Sequence, residues 1–330
     1  MRAIVVNRPG GATALRLTET DTPGPGPDQV LVKVTAAGVN FIDTYRRSGV
    51  YRTPFPHIPG SEGAGEIEAL GPEVSGFAVG DRVAWASSAT GSYAEYAVVD
   101  AAQLLPAPLN LTLDLAAAIP LQGLTADYLT RSAYRLGPAD SALIYAAAGG
   151  VGQLVTQLAL AAGAQVIATV GSGAKIATVA ELGVPDDGIV NLGALADLTT
   201  GLPPRVRALT AGEGAHVAYD GIGRDTFAAT LASLRRRGTA VLYGGASGQV
   251  EPFDPQELNA HGSLYLTRPK LDDYTATPAQ LRERAERVFA AVANGALKVA
   301  IGGRFPLADA TFAHQALESR ASQGKLVLYL

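Results

Sequence analysis

The sequence predicts an α/β protein in two lobes, a mostly β lobe followed by a doubly wound parallel sheet. Three observations predict it. Up to about Leu121 the chain runs in short β-type pieces, such as residues 30–34 and 82–85, broken by turns like Thr22-Pro23-Gly24-Pro25-Gly26-Pro27. Beyond that point six apolar strands alternate with helical stretches, at residues 142–146, 165–170, 189–192, 217–220, 239–243 and 263–267. Finally, 330 residues that are 48% hydrophobic and 17% charged are too many for one ordinary core and too apolar to stay disordered. The expected division is residues 1–121, residues 122–268, and a segment, residues 269–330, that returns to the first lobe.

The elements follow in order. Residues 1–6 read as a strand entering the turn Asn7-Arg8-Pro9-Gly10, with one Arg and too short an apolar run for a signal peptide. In the second lobe, residues 224–237 read as a helix with Phe227, Leu231 and Leu234 on one face and Gly238 just past its end. Its close would carry Arg235, Arg236 and Arg237 as solvent-facing helix-end charge. The last strand of that lobe, residues 263–267, would leave backbone groups and the side chains of Leu264 and Leu266 uncovered unless another strand paired with it. Residues 278–293 form an amphipathic helix, and residues 325–330 a closing strand.

Composition narrows the chemistry. There is no cysteine, so disulfides and thiolate metal sites are excluded, in keeping with a reducing cytoplasm. His57, His216, His261 and His314 are scattered without the spacing of a metal site, so no metal is expected. A net charge of -4 with no aromatic-interleaved basic patch disfavours nucleic acid and anionic lipid as partners. The apolar stretch at residues 142–170 is interrupted by Gln153, Thr156, Gln157, Gln165 and several glycines, which suits strand, helix and strand rather than a bilayer span.

The segment from Ala142 to Leu154 is an apolar strand feeding a glycine turn that opens a helix. On the G-x-G-x-x-G pattern the three positions are Ala147, Gly149 and Gly152, so the first glycine is missing. Gly149 still lets the backbone approach a pyrophosphate, Gly152 permits close helix packing, and Gly150 and Val151 lie in the helix start whose free N–H groups attract an anion. This is the Rossmann arrangement, and a dinucleotide is the expected ligand. After the second strand an NAD site places a carboxylate on the ribose, whereas this chain has Gly171-Ser172-Gly173-Ala174-Lys175. Ser172 as a donor and Lys175 as a cation favour the extra phosphate of NADPH, although Ser172 can also simply cap the next helix.

The sequence resembles the zinc-independent quinone oxidoreductases of the medium-chain dehydrogenase/reductase superfamily over nearly its whole length. The likeness rests on the run from Gly38 to Tyr45, on Gly60-Ser61-Glu62-Gly63-Ala64-Gly65, on Gly80-Asp81-Arg82-Val83, and on Gly123-Leu124-Thr125-Ala126. It continues through the turn from Ala146 to Gly152, Tyr219 to Gly223, Ser263 to Pro269, and Leu317 to Lys325. It implies a GroES-like catalytic lobe split by a Rossmann domain, NADPH in the cleft, and a homodimer joined through sheet edges. Asn40 and Ser61 stand where the zinc enzymes of the superfamily carry cysteine and histidine ligands, so the resemblance implies chemistry without zinc.

By the same likeness Asn40, Asp43, Tyr45 and Thr125 line the nicotinamide end, Tyr243, Gly244, Leu266, Thr267 and Arg268 border the cofactor, and Arg320 reaches the adenosine phosphate. Leu192 replaces a tyrosine near the adenine, and Gln122 a lysine, of the relatives. The implied reaction is direct reduction of a quinone, which needs mainly to be held against the nicotinamide and given a proton. Tyr45, Tyr51 or water would supply that proton, with Asn40 as a neutral donor; Asp43 and Glu62 read more readily as backbone acceptors than as catalysts. The alternatives are reduction of an activated C=C bond in an enal or enone, and a non-enzymatic RNA-binding or structural role.

Overall fold

Backbone pairing in the computed structural model, which describes residues 1 to 330, sorts the strands into two sheets and one separate hairpin. The chain divides into two units: Met1–Leu124 together with Thr275–Leu330, and Thr125–Tyr274.

In the first unit a seven-stranded sheet runs Ile301–Pro306, Lys325–Tyr329, Gln29–Val39, Glu62–Leu70, Arg82–Trp85 and Leu105–Pro106, with Tyr96–Asp100 also paired to Gln29–Val39. The long strand Gln29–Val39 changes partner along one edge. Its first half meets Tyr96–Asp100, as in Val30 against Val99, and its second half meets Lys325–Tyr329, as in Val39 against Leu326. Alternate residues of these strands point into two apolar clusters, one around Trp85 with Val30, Val32, Ile67 and Val99, the other around Tyr93 with Ile4, Val39, Leu326 and Leu328. Each fully buried aliphatic side chain contributes about 1.5–3 kcal/mol.

Beside this sheet lie the helices Phe41–Ser48, Ala310–Glu318 and Pro278–Ala293. The last of these starts with Thr277 bonding Gln280 N while Gln280 bonds back, a reciprocal cap announced by Thr-Pro-Ala-Gln in the sequence.

The second unit holds six parallel strands in the order Ile189–Asn191, Gln165–Val170, Ser141–Ile144, Ala215–Asp220, Leu234–Leu242 and Tyr265–Thr267. In chain order this is 3-2-1-4-5-6, the doubly wound arrangement whose direction of winding reverses beside the first strand. Leu143, Tyr145, Ile167, Leu202, Val206, Phe227 and Leu231 belong to its core.

Two expectations need correction. The helix expected over residues 224–237 spans only Phe227–Ser233, and Arg235, Arg236 and Arg237 lie in the strand Leu234–Leu242. Ser233 Oγ bonds back to Ala229 O and ends the helix, after which Leu234 pairs with Ala215. Leu234 is thus buried by sheet pairing, which imitated a helical period in the sequence. At the sheet edge the strand is Tyr265–Thr267 rather than residues 263–267, and Leu264 is buried, so the large apolar side chain left in solvent is Tyr265, at 63% exposure.

Candidate functional site

Strand register builds a polar cluster in the first unit. Gly38 pairs with Glu62, and Val39 pairs with Leu326, so the next positions, Asn40 and Lys325, come together at the strand end. Asn40 Nδ2 donates to Glu62 Oε1 at 2.8 Å and to Gly38 O at 3.3 Å, while its Oδ1 accepts from Lys325 Nζ at 2.5 Å. Lys325 also pairs directly with Glu62, and both are almost wholly buried. A side chain at Gly38 would put its Cβ 2.2 Å from Glu62 Oε1, so only glycine lets the carboxylate lie there.

Asn40 is also the N-cap of the helix Phe41–Ser48. Three residues on, Asp43 accepts from Asn40 N at 3.0 Å and from Ser61 Oγ at 2.8 Å, and Ser61 accepts from Arg46 Nη1 at 2.9 Å. Asp43 has no exposed surface; burial pushes its carboxyl up, opposed by the Ser61 hydrogen bond and the charges of Arg46 and Lys325. It therefore holds the Asn40 backbone at the start of the helix. Behind it Tyr93 OH reaches Asp43 Oδ2 at 3.4 Å and His314 Nε2 at 3.1 Å, and His314 Nδ1 accepts from Arg47 Nη1 at 2.9 Å. Arg47 is bound in turn by Glu318 at 2.6 Å.

Tyr45 and Tyr51 pack against each other with ring centroids 5.3 Å apart and their planes tilted by 60°. Tyr51 lines a cavity of about 480 Å³ with Pro9, Gly49, Arg52, Thr53, Pro54 and Phe55. Arg320 lies exposed just past Ala310–Glu318, in a left-handed backbone conformation with φ 57°.

The residues expected to meet a dinucleotide lie at the carboxyl ends of the second unit's parallel strands. Ser141–Ile144 ends in a tight turn with Ala146 at φ 49°, and the helix Gly150–Ala161 begins with Gly149 as its N-cap. The first-turn N–H groups of Gly150, Val151 and Gly152 have no acceptor within that helix, which is the donor set an anion takes. A Cβ on Gly152 would meet Ala146 O at 2.2 Å. Gly171, after Gln165–Val170, has open space around it, as an approaching ribose needs.

Ser172 and Lys175 follow. Ser172 takes the N-cap backbone position without a side-chain cap bond, leaving its exposed hydroxyl for another partner. Burial in this half-covered position lowers the Lys175 ammonium's pKa. Tyr243 and Gly244 follow Leu234–Leu242, and a Cβ at Gly221 would come within 2.7 Å of the Tyr243 ring. Leu266 and Thr267 end the sixth strand, and Arg268 follows it. Thr125, 9% exposed, sits in Pro120–Tyr128. Asp220 is buried and tied to Ile222 N, Gly223 N, Thr226 and Thr230, holding the glycine loop after the fourth strand.

Sequence reasoning missed Lys325, Tyr93, His314 and Arg47. Their partners lie far away along the chain, and a lone Lys, Tyr or His carries no local signal. No group of three or more His, Cys, Asp or Glu side chains is arranged to hold a metal ion.

A GroES-like lobe joined to a Rossmann unit is the architecture of medium-chain dehydrogenases and reductases. The alcohol dehydrogenase GroES-like domain family matches residues 26–109, and the zinc-binding dehydrogenase family matches residues 150–269. Quinone oxidoreductase of Pseudomonas aeruginosa is 40% identical over 97% of this chain and 96% of its own, and quinone oxidoreductase 1 of Escherichia coli is 39% identical over 98% of each. The 2-haloacrylate reductase of a Burkholderia species is 36% identical over 99% of this chain and 98% of its own. A mycobacterial protein solved with NADPH superposes with TM-score 0.96 at 44% identity, covering 100% of both chains. The Escherichia coli quinone oxidoreductase solved with NADPH gives 0.95 at 37%, again over 100% of both. The chain belongs to the zinc-independent quinone oxidoreductase family of the medium-chain dehydrogenase/reductase superfamily.

Proposed function

We propose that this protein is an NADPH:quinone oxidoreductase that reduces its acceptor directly, without zinc or flavin. The observation that carries the reading is the full-length likeness, near 40% identity, to quinone oxidoreductases, together with two structural neighbours of this chain solved with NADPH. The residues present suit that cofactor. Gly149, Gly150, Val151 and Gly152 take the pyrophosphate; Gly171, Ser172 and Lys175 take the adenosine side with its extra phosphate, helped by Arg320; Tyr243, Gly244, Leu266, Thr267 and Arg268 flank the remainder.

When bound, the nicotinamide supplies the hydride. Asn40, seated on Asp43, fixes one side of the reacting end, and Thr125 another. The rings of Tyr45 and Tyr51 stack on a flat acceptor and exclude water, and a tyrosine hydroxyl or a solvent molecule returns the proton to the reduced oxygen. Asn40 has both amide hydrogens engaged by Glu62 and Gly38, so its service as a donor to substrate requires giving up one of these bonds.

On the same reading, residues 1–121 and 269–330 form the catalytic lobe and residues 122–268 the cofactor domain. Two copies pair edge to edge, and the protein works in the cytoplasm. No helix is long and apolar enough to cross a membrane. A second reading, reduction of an activated C=C bond, is favoured by the 36% identity to 2-haloacrylate reductase.

Oxidation of NADPH, and of NADH in parallel, by the purified chain separates the two when benzoquinones, naphthoquinones, 2-alkenals and 2-haloacrylate are offered in turn. We expect kcat/KM for the best quinone to exceed that for any alkene by about 10-fold or more, with NADPH preferred. The reverse order makes the protein an alkene reductase, and no turnover with any acceptor removes the enzymatic reading.

A further inference from the structure

The first unit buries a cation to which the mechanism above assigns no task. Lys325 is 4% exposed, and its Nζ donates to both Glu62 Oε1 and Asn40 Oδ1. Asn40 donates to the same Glu62 oxygen, so the three side chains close a ring in which each is bonded to the other two. The second oxygen of Glu62 accepts from Leu121 N at 2.7 Å, in the first turn of Pro120–Tyr128. The carboxylate is thereby held from two sides.

For Asn40 the consequence is orientational. An unconstrained amide exchanges its donor and acceptor ends by half a turn about its last bond. Here that turn would put the NH2 against an ammonium and the oxygen against a carboxylate, two repulsive contacts at once. Lys325 and Glu62 make the amide a one-way group with a full charge at each end. Strand register enforces the contact, because Lys325 follows directly from the pairing of Leu326 with Val39.

We propose that Lys325 is a positioning residue of the nicotinamide end: with Glu62 it orients and polarises the Asn40 amide, and so sets the hydrogen-bonding face offered to the reduced ring and the acceptor's oxygen. This rests on the assignment of Asn40 to that end under the proposed function. A merely structural ion pair, stitching Lys325–Tyr329 to its neighbours, makes different predictions. It affects stability and leaves turnover alone, whereas a positioning pair affects turnover only while Asn40 is present.

Lys325→Met alone strands the Glu62 charge in the interior, which is costly. The informative variant combines Lys325→Met with Glu62→Gln, removing both charges at nearly constant volume. We expect it to keep its NADPH dissociation constant within about threefold while kcat with a quinone falls about 10-fold or more. On an Asn40→Ala background the same two changes should cost less than about twofold, because the group they act through is gone. A second arm needs no charge-free pair: Lys325→Gln still donates to Asn40 Oδ1 and should retain more kcat than Lys325→Met.

An unchanged kcat in the double variant overturns the proposal. So does a full loss repeated on the Asn40→Ala background, or Lys325→Gln no better than Lys325→Met. If the parent protein itself reduces no acceptor with NADPH, the failure belongs to the functional reading and not to Lys325.

Discussion

His314 shows how burial can tie one side chain to the protein's acid stability. Its ring has no exposed surface; burial, and then the charge of Arg47, lower its pKa from 6.5 to about 3. The charged groups facing it are Arg47 and, beyond Tyr93, Asp43. As the pH drops below about 6.5 the unfolded chain takes up a proton that the folded chain refuses until about pH 3, so this contribution to stability falls on acidification through that window, by at most about 1.4 kcal/mol per pH unit. His314→Gln should therefore lose less stability than the parent between about pH 7 and about pH 4, as urea midpoints would show. Equal losses in the two proteins would remove His314 from the account.

Elements differ in how openly the sequence announces them. The turn around Gly149 and Gly152 is legible because strand, glycines and helix start adjoin one another, and the helix Pro278–Ala293 because its caps are local. The helix Phe227–Ser233 was overextended because Leu234 looks like the next apolar position of a helix, whereas its partner, Ala215, lies in another strand. The ring of Asn40, Glu62 and Lys325 is illegible for the same reason on a larger scale: its members are up to 285 residues apart and meet only through register.

At the legible turn the prediction is direct. Gly152→Ala sets a Cβ 2.2 Å from Ala146 O, and since that contact is with backbone the turn itself must move. NADPH affinity should fall about 10-fold or more, with a lowered melting temperature, both readable by ligand-shifted thermal unfolding. An unaltered NADPH affinity would mean the pyrophosphate does not rest on this helix.

At the scale of the whole molecule the open edge of the parallel sheet matters most. Tyr265–Thr267 has a sheet neighbour on one side only, with Tyr265 largely in solvent. If two copies pair there, sedimentation equilibrium will give twice the 33.8 kDa chain mass, and Tyr265→Lys, an edge-blocking charge, should shift the distribution toward the single chain on dilution. A parent that sediments as a single chain, or a variant whose association is undiminished, would place any pairing elsewhere.

The position of Lys325–Tyr329 inside the first unit's sheet, between Ile301–Pro306 and Gln29–Val39, also dictates an order of events during synthesis. The nucleotide-binding unit is one unbroken stretch, Thr125–Tyr274, and can form as soon as it clears the ribosome. The first unit must wait with an open seam along Gln29–Val39 until residues made some 290 positions later arrive to fill it. Lys325 rides in on that late strand, so the nascent chain gains its buried cation, and with it a fixed Asn40, only after the whole nucleotide-binding unit has been made.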